Sequence, residues 1–394
     1  MRPVEFQTRT AVARARDETW LGSTRAPARH AEPERSASLG LSPAAIGAGA
    51  AALALAGAAL LNYRRGRAAE NAHPPVGRFI EVDGVAVHYA ERGAGQPVVL
   101  LHGNGAMIED YLLSGLVERL ARTYRVITID RPGYGYTERP RSRLWTAPAQ
   151  AELMREVVGR LGLVKPVVVG HSWGATVAMA WALAHEEELA GIVLMSGYFF
   201  PTPRADVVAF APPAIPVIGD LMRYTIAPPL GRLIAPRLFA KIFAPRPVPQ
   251  RFAAGYPLAL ALRPWQLRAS AEETAMMIPW AALSQRHYRG LRLPVAILTG
   301  EADEIVTATR QSVRLHDEIP HSSLRVLPGL GHMIHYFAQD EIAASIDAVL
   351  GHGERGRQPY AAAGSARDPA SALLAGESFH GQPAVSSALT PGST

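Results

Sequence analysis

A serine in a tight turn is the strongest chemical signal in this sequence. Ser172 stands in Gly170-His171-Ser172-Trp173-Gly174, after the apolar run Val167–Val169 and before the helical pattern Ala175–Ala184. Glycines around such a turn let neighbouring segments approach closely, and the turn strains the backbone of the serine. The hydroxyl then projects at the end of a strand, and the N-terminus of the next helix faces developing negative charge. The pattern predicts a nucleophilic serine at position 172.

The loops after two later strands supply the partners that a serine nucleophile needs, a base and an acid that orients the base. Asp303 follows the apolar run Pro294–Leu298, and His332 follows the run Ser323–Leu327. The carboxyl ends of parallel strands meet at one edge of a sheet. We therefore expect Ser172, Asp303 and His332 to form a catalytic triad, in the chain order Ser, Asp, His.

Other carboxylates and imidazoles compete for these roles. Glu301 and Glu304 lie in the same loop as the predicted acid, and we expect them to be solvated. Asp317 falls within a predicted helix, on its surface. His335 follows His332 by three residues, could line a pocket, and stays an alternative base.

An oxyanion hole should complete the site with two backbone N–H groups. Trp173, directly after the nucleophile, supplies the first. The loop His102-Gly103-Asn104-Gly105 follows the strand Pro97–Leu101, and Asn104 is the expected second donor. We interpret His102 as a hydrogen-bonding residue that fixes this loop.

The elements around these loops alternate between apolar runs and amphipathic stretches. A hairpin is predicted by Asp83-Gly84 between Phe79–Val82 and Val85–Glu91. The later runs are apolar on both faces, as parallel strands covered by helices must be. The further predicted strands are Pro97–Leu101, Tyr124–Ile129, Pro166–Val169, Gly191–Met195, Pro294–Leu298 and Ser323–Leu327. The predicted helices are Tyr111–Arg122, Ala147–Leu161, Thr176–Ala184, Thr307–Glu318 and Asp340–Leu350. This pattern predicts an α/β fold with a mostly parallel sheet and helices on both faces.

Five motifs in this order resemble the α/β-hydrolase superfamily, in the branch that contains esterases, cofactor-free haloperoxidases and epoxide hydrolases. The resemblance covers roughly residues 77–350. The motifs are the His102–Gly105 loop, the Asp130–Gly135 turn, the Ser172 turn, Gly300–Asp303 and Gly331-His332.

The resemblance implies an α/β-hydrolase fold and a catalytic domain over residues 76–350. In the family, Asp130-Arg131-Pro132-Gly133 is a structural turn, so we assign it no chemistry. The epoxide hydrolases and haloalkane dehalogenases of this branch carry Asp where this chain has Ser172. Acyl transfer through a serine ester is therefore favoured over an alkyl-enzyme ester. The chemistry requires no metal or organic cofactor.

The segment of residues 201–292 interrupts the strand pattern, and the resemblance implies a cap over the active site. Fourteen prolines between Phe200 and Leu293 indicate short helices with rigid joints. Its large apolar residues could line an apolar pocket or form the core of the cap itself; they are Phe210, Leu221, Met222, Phe239, Phe243, Phe252, Trp265, Met276, Met277 and Trp280. We expect the basic side chains on its surface; they are Arg223, Arg232, Arg237 and Arg246.

A segment before this domain is apolar enough to lie in a membrane. Pro43–Leu61 carries no charge, and about 19 residues of helix at roughly 1.5 Å each would span about 28 Å. Tyr63, Arg64 and Arg65 follow it as an interfacial aromatic and a basic stop. We predict a single N-terminal anchor over residues 42–63, with a signal peptide or a plain Ala-rich helix as alternatives. The arginine distribution slightly favours a cytoplasmic catalytic domain.

Composition limits the remaining possibilities. Residues 1–41 and 351–394 are polar or rich in Gly, Ala, Ser and Pro, and are predicted to be a disordered arm and tail. The 394 residues contain no cysteine, which excludes disulfides, thiolate nucleophiles and Cys-ligated metals. The net charge of +6 comes almost entirely from Arg, without the aromatic interleaving of a nucleic-acid surface, so no nucleic-acid partner is predicted.

The residues together predict a serine hydrolase that cleaves an ester, thioester or amide of a small, apolar substrate. Two alternatives stay open at this point. The same triad could serve a perhydrolase or haloperoxidase-like activity, and a hydrolase scaffold could serve as a membrane-tethered binding protein. The oligomeric state does not follow from these residues.

Overall fold

The computed structural model describes residues 42–352. The predicted arm 1–41 and, after its first two residues, the predicted tail 351–394 lie outside the described residues. Eight strands form one sheet in the order β1-β2-β4-β3-β5-β6-β7-β8. They are β1 (Arg78–Val82), β2 (Val85–Arg92), β3 (Pro97–Leu101), β4 (Arg125–Ile129), β5 (Val167–His171), β6 (Gly191–Met195), β7 (Val295–Gly300) and β8 (Ser323–Leu327).

The sheet is antiparallel at one edge and parallel elsewhere. β1 pairs with β2 and β2 with β4 in antiparallel fashion, and the remaining pairs are parallel. Asp83 and Gly84 both have positive φ, 51° and 73°, as a two-residue hairpin turn requires. The predicted α/β fold with a mostly parallel sheet is confirmed.

Alternate strand residues face two separate hydrophobic layers. Residues that pair across β3, β4 and β5 lie on the same face of the sheet. On one face these are Val99, Ile127 and Val168. The opposite set is Val98, Val126 and Val167. All six side chains are fully buried, so the strands are apolar on both faces because helices cover both.

The helices lie on the two faces of the sheet and in an insertion. Helix α4 (Ala147–Arg160) and α5 (Trp173–His185) pack on the first layer, while α3 (Leu116–Leu120) and α13 (Gln339–Val349) pack on the second. The other helices are α1 (Pro43–Ala72), α2 (Ile108–Ser114), α6 (Ala205–Phe210), α7 (Ile218–Tyr224), α8 (Ala227–Phe243), α9 (Gln250–Gly255), α10 (Leu258–Ala261), α11 (Pro264–Ser284) and α12 (Arg314–Glu318). Short 3-10 turns are Glu186–Glu188, Pro212–Ala214, Gln285–Gly290 and Ile334–Tyr336.

Two predicted helices differ in detail from the sequence pattern. The predicted helix Tyr111–Arg122 is divided into α2 and α3, because Gly115 adopts a left-handed φ of 75° that ends the first helix. The predicted helix Thr307–Glu318 starts with a π-helical turn at Thr309–Val313 and becomes α12.

The insertion between β6 and β7 is helical, as predicted, and contains α6 to α11. Its prolines stand at helix starts in α8 and α11 and also inside them, at Pro236 and Pro279. One expectation about its surface is wrong. Arg223 is buried, because its guanidinium donates to the Pro213 carbonyl and pairs with Asp220.

Helix α1 is longer than the predicted segment 42–63 and continues to Ala72. Residues after 63 are mostly good helix formers, and Arg67 pairs with Glu70 one turn later at 2.7 Å. The chain divides into two compact units within this helix, after Ala50. In the second unit, Ala69 packs with Met107 and Leu260.

Candidate active site

Ser172 occupies the turn between β5 and α5 in a strained conformation. Its φ of 53° and ψ of −116° are outside the regions that a side chain normally allows. The neighbours must be glycine. A Cβ on Gly170 would lie 2.3 Å from the Gly174 carbonyl oxygen, and one on Gly174 would lie 2.0 Å from the Leu101 carbonyl oxygen. The turn therefore depends on the Gly-x-Ser-x-Gly spacing.

His332 and Asp303 form a buried pair at the same edge of the sheet. His332 Nδ1 lies 2.8 Å from Asp303 Oδ2. The other carboxylate oxygen accepts the backbone N–H groups of Ile305 and Val306, each at 2.8 Å. Both side chains of the pair are almost fully buried. The carboxylate is thus held by backbone donors in the position where it orients the imidazole.

His171 links the serine turn to the His332 loop. Its Nε2 lies 3.0 Å from the backbone carbonyl oxygen of His332, and the two rings are 4.9 Å apart. Burial, and then the nearby His335 and His332, hold the pKa of His171 well below its usual range. The ring is therefore neutral and can donate from Nε2. The residue directly before Ser172 thereby fixes the backbone of His332.

The loop after β3 lies against the serine. A Cβ on Gly103 would be 3.2 Å from Ser172 Cβ, which shows how closely this loop approaches. Among the described residues, neither the Asn104 nor the Trp173 N–H donates to a backbone acceptor. Both amides are therefore without a backbone acceptor, as the donors of an oxyanion hole would be.

His102 fixes this loop, as we expected. Its Nε2 accepts the backbone N–H of Arg131 at 3.0 Å, so Nδ1 carries the proton and donates to the Gly103 carbonyl at 2.8 Å. Burial, followed by the charge of Arg131, lowers the pKa of His102 to about 3. A neutral imidazole that uses both nitrogens in the loop is not a catalytic base.

Arg131, which the family resemblance places in a structural turn without chemistry, also fixes the loop. Its Nε and Nη2 donate to the His102 and Gly103 carbonyls at 2.7 and 2.9 Å. The guanidinium forms an ion pair with Glu273 of α11, and both side chains are fully buried. Gln150 on α4 accepts from Nη1 at 2.9 Å and donates to Glu273 at 2.9 Å. No local pattern marks this network, because Glu273 is 142 residues from Arg131.

Helix α11 also holds the side chain of Asn104. The Asn104 amide donates to the Ser270 carbonyl at 3.1 Å and to the Thr274 hydroxyl at 3.0 Å. Its carbonyl oxygen accepts from Tyr134 at 3.0 Å. The position of the candidate oxyanion donor is therefore set by the insertion as well as by the sheet.

The competing groups are placed elsewhere. Glu301 and Glu304 are exposed, and so is Asp317. His335 is fully buried, and its Nε2 lies 3.0 Å from Asp110 Oδ2, so it cannot reach substrate.

Asp110, His171 and His335 could also be considered as a metal site, since their ligand atoms lie within 4.8 Å of one another. Both Asp110 oxygens already have partners, because Tyr336 donates to Oδ1 at 2.9 Å and His335 approaches Oδ2. These contacts satisfy the carboxylate inside the protein. We therefore interpret the three residues as a hydrogen-bonded support beneath the site.

The large apolar residues of the insertion mostly contact one another or the core. Phe239, Phe243 and Phe252 form a cluster with Met333 and Tyr336, which flank the His332 loop. Met276, Met277 and Trp280 pack against the main core, whereas Phe210 and Leu221 are exposed. The first group therefore lies beside the segment that follows His332.

The sheet order, the serine turn and the converging loops are the features of one fold family. The family model for the alpha/beta hydrolase fold matches residues 96–339. The chain belongs to the alpha/beta hydrolase family. The predicted resemblance is confirmed, and membership of this family shows that the protein is a hydrolase.

Relatives of this hydrolase differ in their chemistry. Haloalkane dehalogenase 2 of Mycobacterium tuberculosis is 26% identical over 287 residues, which are 70% of this chain and 94% of the relative. The 2-hydroxymuconate semialdehyde hydrolase of Pseudomonas sp. strain CF600 is 28% identical over 294 residues, 71% of this chain and 93% of that protein. Among solved structures, a bacterial membrane phospholipase A has a TM-score of 0.53 and 20% identity, over 78% of this chain and 95% of its own.

Proposed function

We propose that this α/β hydrolase is a serine hydrolase that cleaves an ester-type bond of a small, apolar substrate. Ser172 is the nucleophile, His332 the base and Asp303 the orienting acid. The observation that carries the proposal is the strained Ser172 turn at the same sheet edge as the buried His332–Asp303 pair. The proposed activity is of the carboxylesterase type.

Each residue has one task in the proposed reaction. With Nδ1–H donating to Asp303, His332 keeps a lone pair on Nε2 and takes the proton of Ser172 Oγ. The oxygen attacks the carbonyl carbon, and the amides of Asn104 and Trp173 stabilise the oxyanion. The intermediate collapses, and His332 returns the proton to the departing alcohol. Water then cleaves the acyl-serine ester by the same steps, again with His332 as the base.

Dehalogenation, the activity in the name of one relative, is disfavoured by the nucleophile. If Ser172 Oγ displaced a halide from an alkyl carbon, the product would be an alkyl ether. Water at neutral pH does not hydrolyse an ether, so the enzyme would stop after one turnover. An acyl-serine ester, in contrast, is cleaved by an activated water. The choice of serine therefore favours carbonyl substrates.

We also propose that α1 anchors the hydrolase in a membrane. Among the described residues, α1 is the helix that is long and apolar enough to cross a bilayer. Its apolar segment is not buried against the rest of the protein. Tyr63, Arg64 and Arg65 would then lie at the interface. The membrane phospholipase A that shares this fold makes a lipid ester a reasonable substrate class to test. The arginine distribution slightly favours a cytoplasmic catalytic domain.

Replacing the nucleophile tests the proposed chemistry. Ser172→Ala should abolish hydrolysis of p-nitrophenyl esters and labelling by a fluorophosphonate, without loss of the folded state. Ser196→Ala is the matched control, because Ser196 also follows a strand, has a positive φ of 48° and is buried. Equal activity of the Ser172→Ala protein and the wild type would refute the proposal.

The same assays separate the two alternative functions. A wild-type chain that is not labelled by the fluorophosphonate would favour a binding protein on a hydrolase scaffold. Halide oxidation that requires acetate and peroxide would favour a perhydrolase. Both outcomes are distinct from ester turnover that depends on Ser172.

A further inference from the structure

Exposed apolar side chains are concentrated on two segments of the hydrolase. From Ala51 to His352, fifteen of the twenty-one large exposed apolar residues lie on α1 or on the cap segment 208–238. Single exposed apolar residues are normal, but a cluster of this size marks a contact surface. We call the cap members the cap face; they are Val208, Phe210, Ile215, Val217, Ile218, Leu221, Ile226, Leu230, Leu233 and Leu238.

A buried asparagine joins this cap face to α1. Asn62 Nδ2 donates to the carbonyl oxygens of Tyr224 and Thr225 at 2.9 and 2.8 Å, between α7 and α8. On α1 the exposed Leu60 and Leu61 come directly before this contact, and on the cap face Ile226 comes directly after it. The apolar surfaces of the helix and the cap are therefore continuous.

Basic side chains accompany this apolar surface. Arg64, Arg65 and Arg67 follow the apolar part of α1, and Arg232 and its neighbours Arg237 and Lys241 lie on α8. Asn62, two residues before Arg64, donates to the Tyr224 and Thr225 carbonyls just before α8, so the basic residues of α1 and of α8 both follow this contact. Apolar side chains next to basic ones are typical of a surface that binds anionic lipid.

We propose that the cap face rests in the interfacial layer of the same bilayer that holds α1. The cap over the active site would then contact anionic phospholipid directly, and the substrate would be a lipid ester drawn from that bilayer. This inference depends on the proposed anchor and the proposed ester hydrolysis. A second copy of the chain is a less suitable occupant, because two surfaces with the same basic groups would repel each other.

Lipid contact can be measured with single labels, because the chain contains no cysteine. Val208→Cys and Leu233→Cys report on the cap face. Val164→Cys is the matched control, since Val164 is the same residue type with the same 77% exposure as Val208 and lies before β5. Leu53→Cys reports on the anchor. Each full-length variant carries an environment-sensitive fluorophore and is reconstituted into phosphatidylethanolamine–phosphatidylglycerol vesicles with or without doxyl-labelled lipid.

We expect doxyl lipid to quench the fluorescence of the labels at positions 53, 208 and 233 and to leave the fluorescence at position 164 unchanged. Quenching at 53 with positions 208 and 233 as bright as 164 would overturn the proposal and leave the anchor intact. No quenching at 53 would overturn the anchor and this inference together. Pyrene excimer emission from position 233 without quenching would show that a second copy covers the cap face, which also overturns the proposal.

A charge on the cap face separates lipid contact from the chemistry. Val208→Glu with Leu233→Glu should lose hydrolysis of phosphatidylglycerol in vesicles and keep the wild-type rate on soluble p-nitrophenyl acetate. Val164→Glu should keep both rates. Wild-type hydrolysis of phosphatidylglycerol by the double variant would contradict the proposal. The proposed function is tested separately by Ser172→Ala, which should lose hydrolysis of both phosphatidylglycerol and p-nitrophenyl acetate.

Discussion

Glu273→Gln tests whether the cap helix holds the oxyanion loop. The substitution keeps the size of the side chain and removes its charge. Glu273 accepts two bonds from Arg131, one from Gln150 at 2.9 Å and one from Tyr134 at 2.7 Å. A glutamine side chain at this position offers only one acceptor oxygen. Its NH2 group would face the donors that the carboxylate of Glu273 now accepts from.

The expected loss of stability comes from the arginine. Burial alone would lower the pKa of Arg131, and the neighbouring Glu273 raises it instead. An arginine guanidinium stays protonated inside proteins, so Arg131 keeps its charge in the variant and loses its buried counter-ion. Breaking such a pair costs about 3–5 kcal/mol in the free energy of unfolding. Removing one oxyanion donor entirely lowers kcat by roughly 10²–10³. The kcat of the variant should therefore fall by no more than this.

Denaturant unfolding and ester hydrolysis measure the two effects separately. Glu272→Gln is the matched control on the same helix. Glu272 pairs with Arg139 and Arg268 and keeps 15% of its side chain exposed, so its neutralisation should cost less stability than that of the fully buried Glu273. The hydrogen bonds of Glu272 go to Arg139 and Arg268 and not to the His102–Gly105 loop, so kcat should stay at the wild-type value.

Two results would refute this reasoning. If the free energy of unfolding falls by the same amount in both variants, then the full burial of Glu273 does not increase the cost of neutralising it. If Glu273→Gln loses stability but keeps the wild-type kcat, then the pair stabilises the fold without positioning the oxyanion loop. A fall in kcat with little change in KM is the result that supports a positioning role.

Two further predictions concern buried carboxylates. Asp303→Asn should lower kcat by about 10⁴, because the amide favours the wrong tautomer of His332, and a retained kcat on p-nitrophenyl esters would contradict the assigned role. Burial, together with the charge of Asp130, raises the pKa of Glu109 from 4.5 to about 7. The folded state therefore binds this proton more tightly, and the free energy of unfolding should fall by up to about 3 kcal/mol as pH rises from 4.5 to 7. Glu109→Gln should remove this dependence in thermal unfolding and be more stable than wild type at pH 8; parallel pH profiles would show that Glu109 does not titrate in this range.

Local sequence signals determined most of the fold. Apolar runs such as Pro97–Leu101 and Gly191–Met195 match the observed strands residue for residue, since burial on both faces leaves a continuous pattern. The Gly170–Gly174 turn was visible because the strained serine needs glycine at fixed spacings. Element ends were less accurate. Helix α1 continues beyond the apolar run to Ala72 because its last turns consist mostly of good helix formers and also pack against the body through Ala69.

The candidate site divides in the same way. The residue types at positions 172, 303 and 332, and their places after strands, could be seen in the sequence. Only the tertiary structure decided what surrounds them, including the Arg131–Glu273 pair and the contact of His171 with His332. It also decided that the cap segment exposes its apolar residues beside α1, through the contact of Asn62 with the chain 162 residues later. These partners are far apart in the chain, and burial with hydrogen-bond geometry selects them only once the sheet and the cap are assembled.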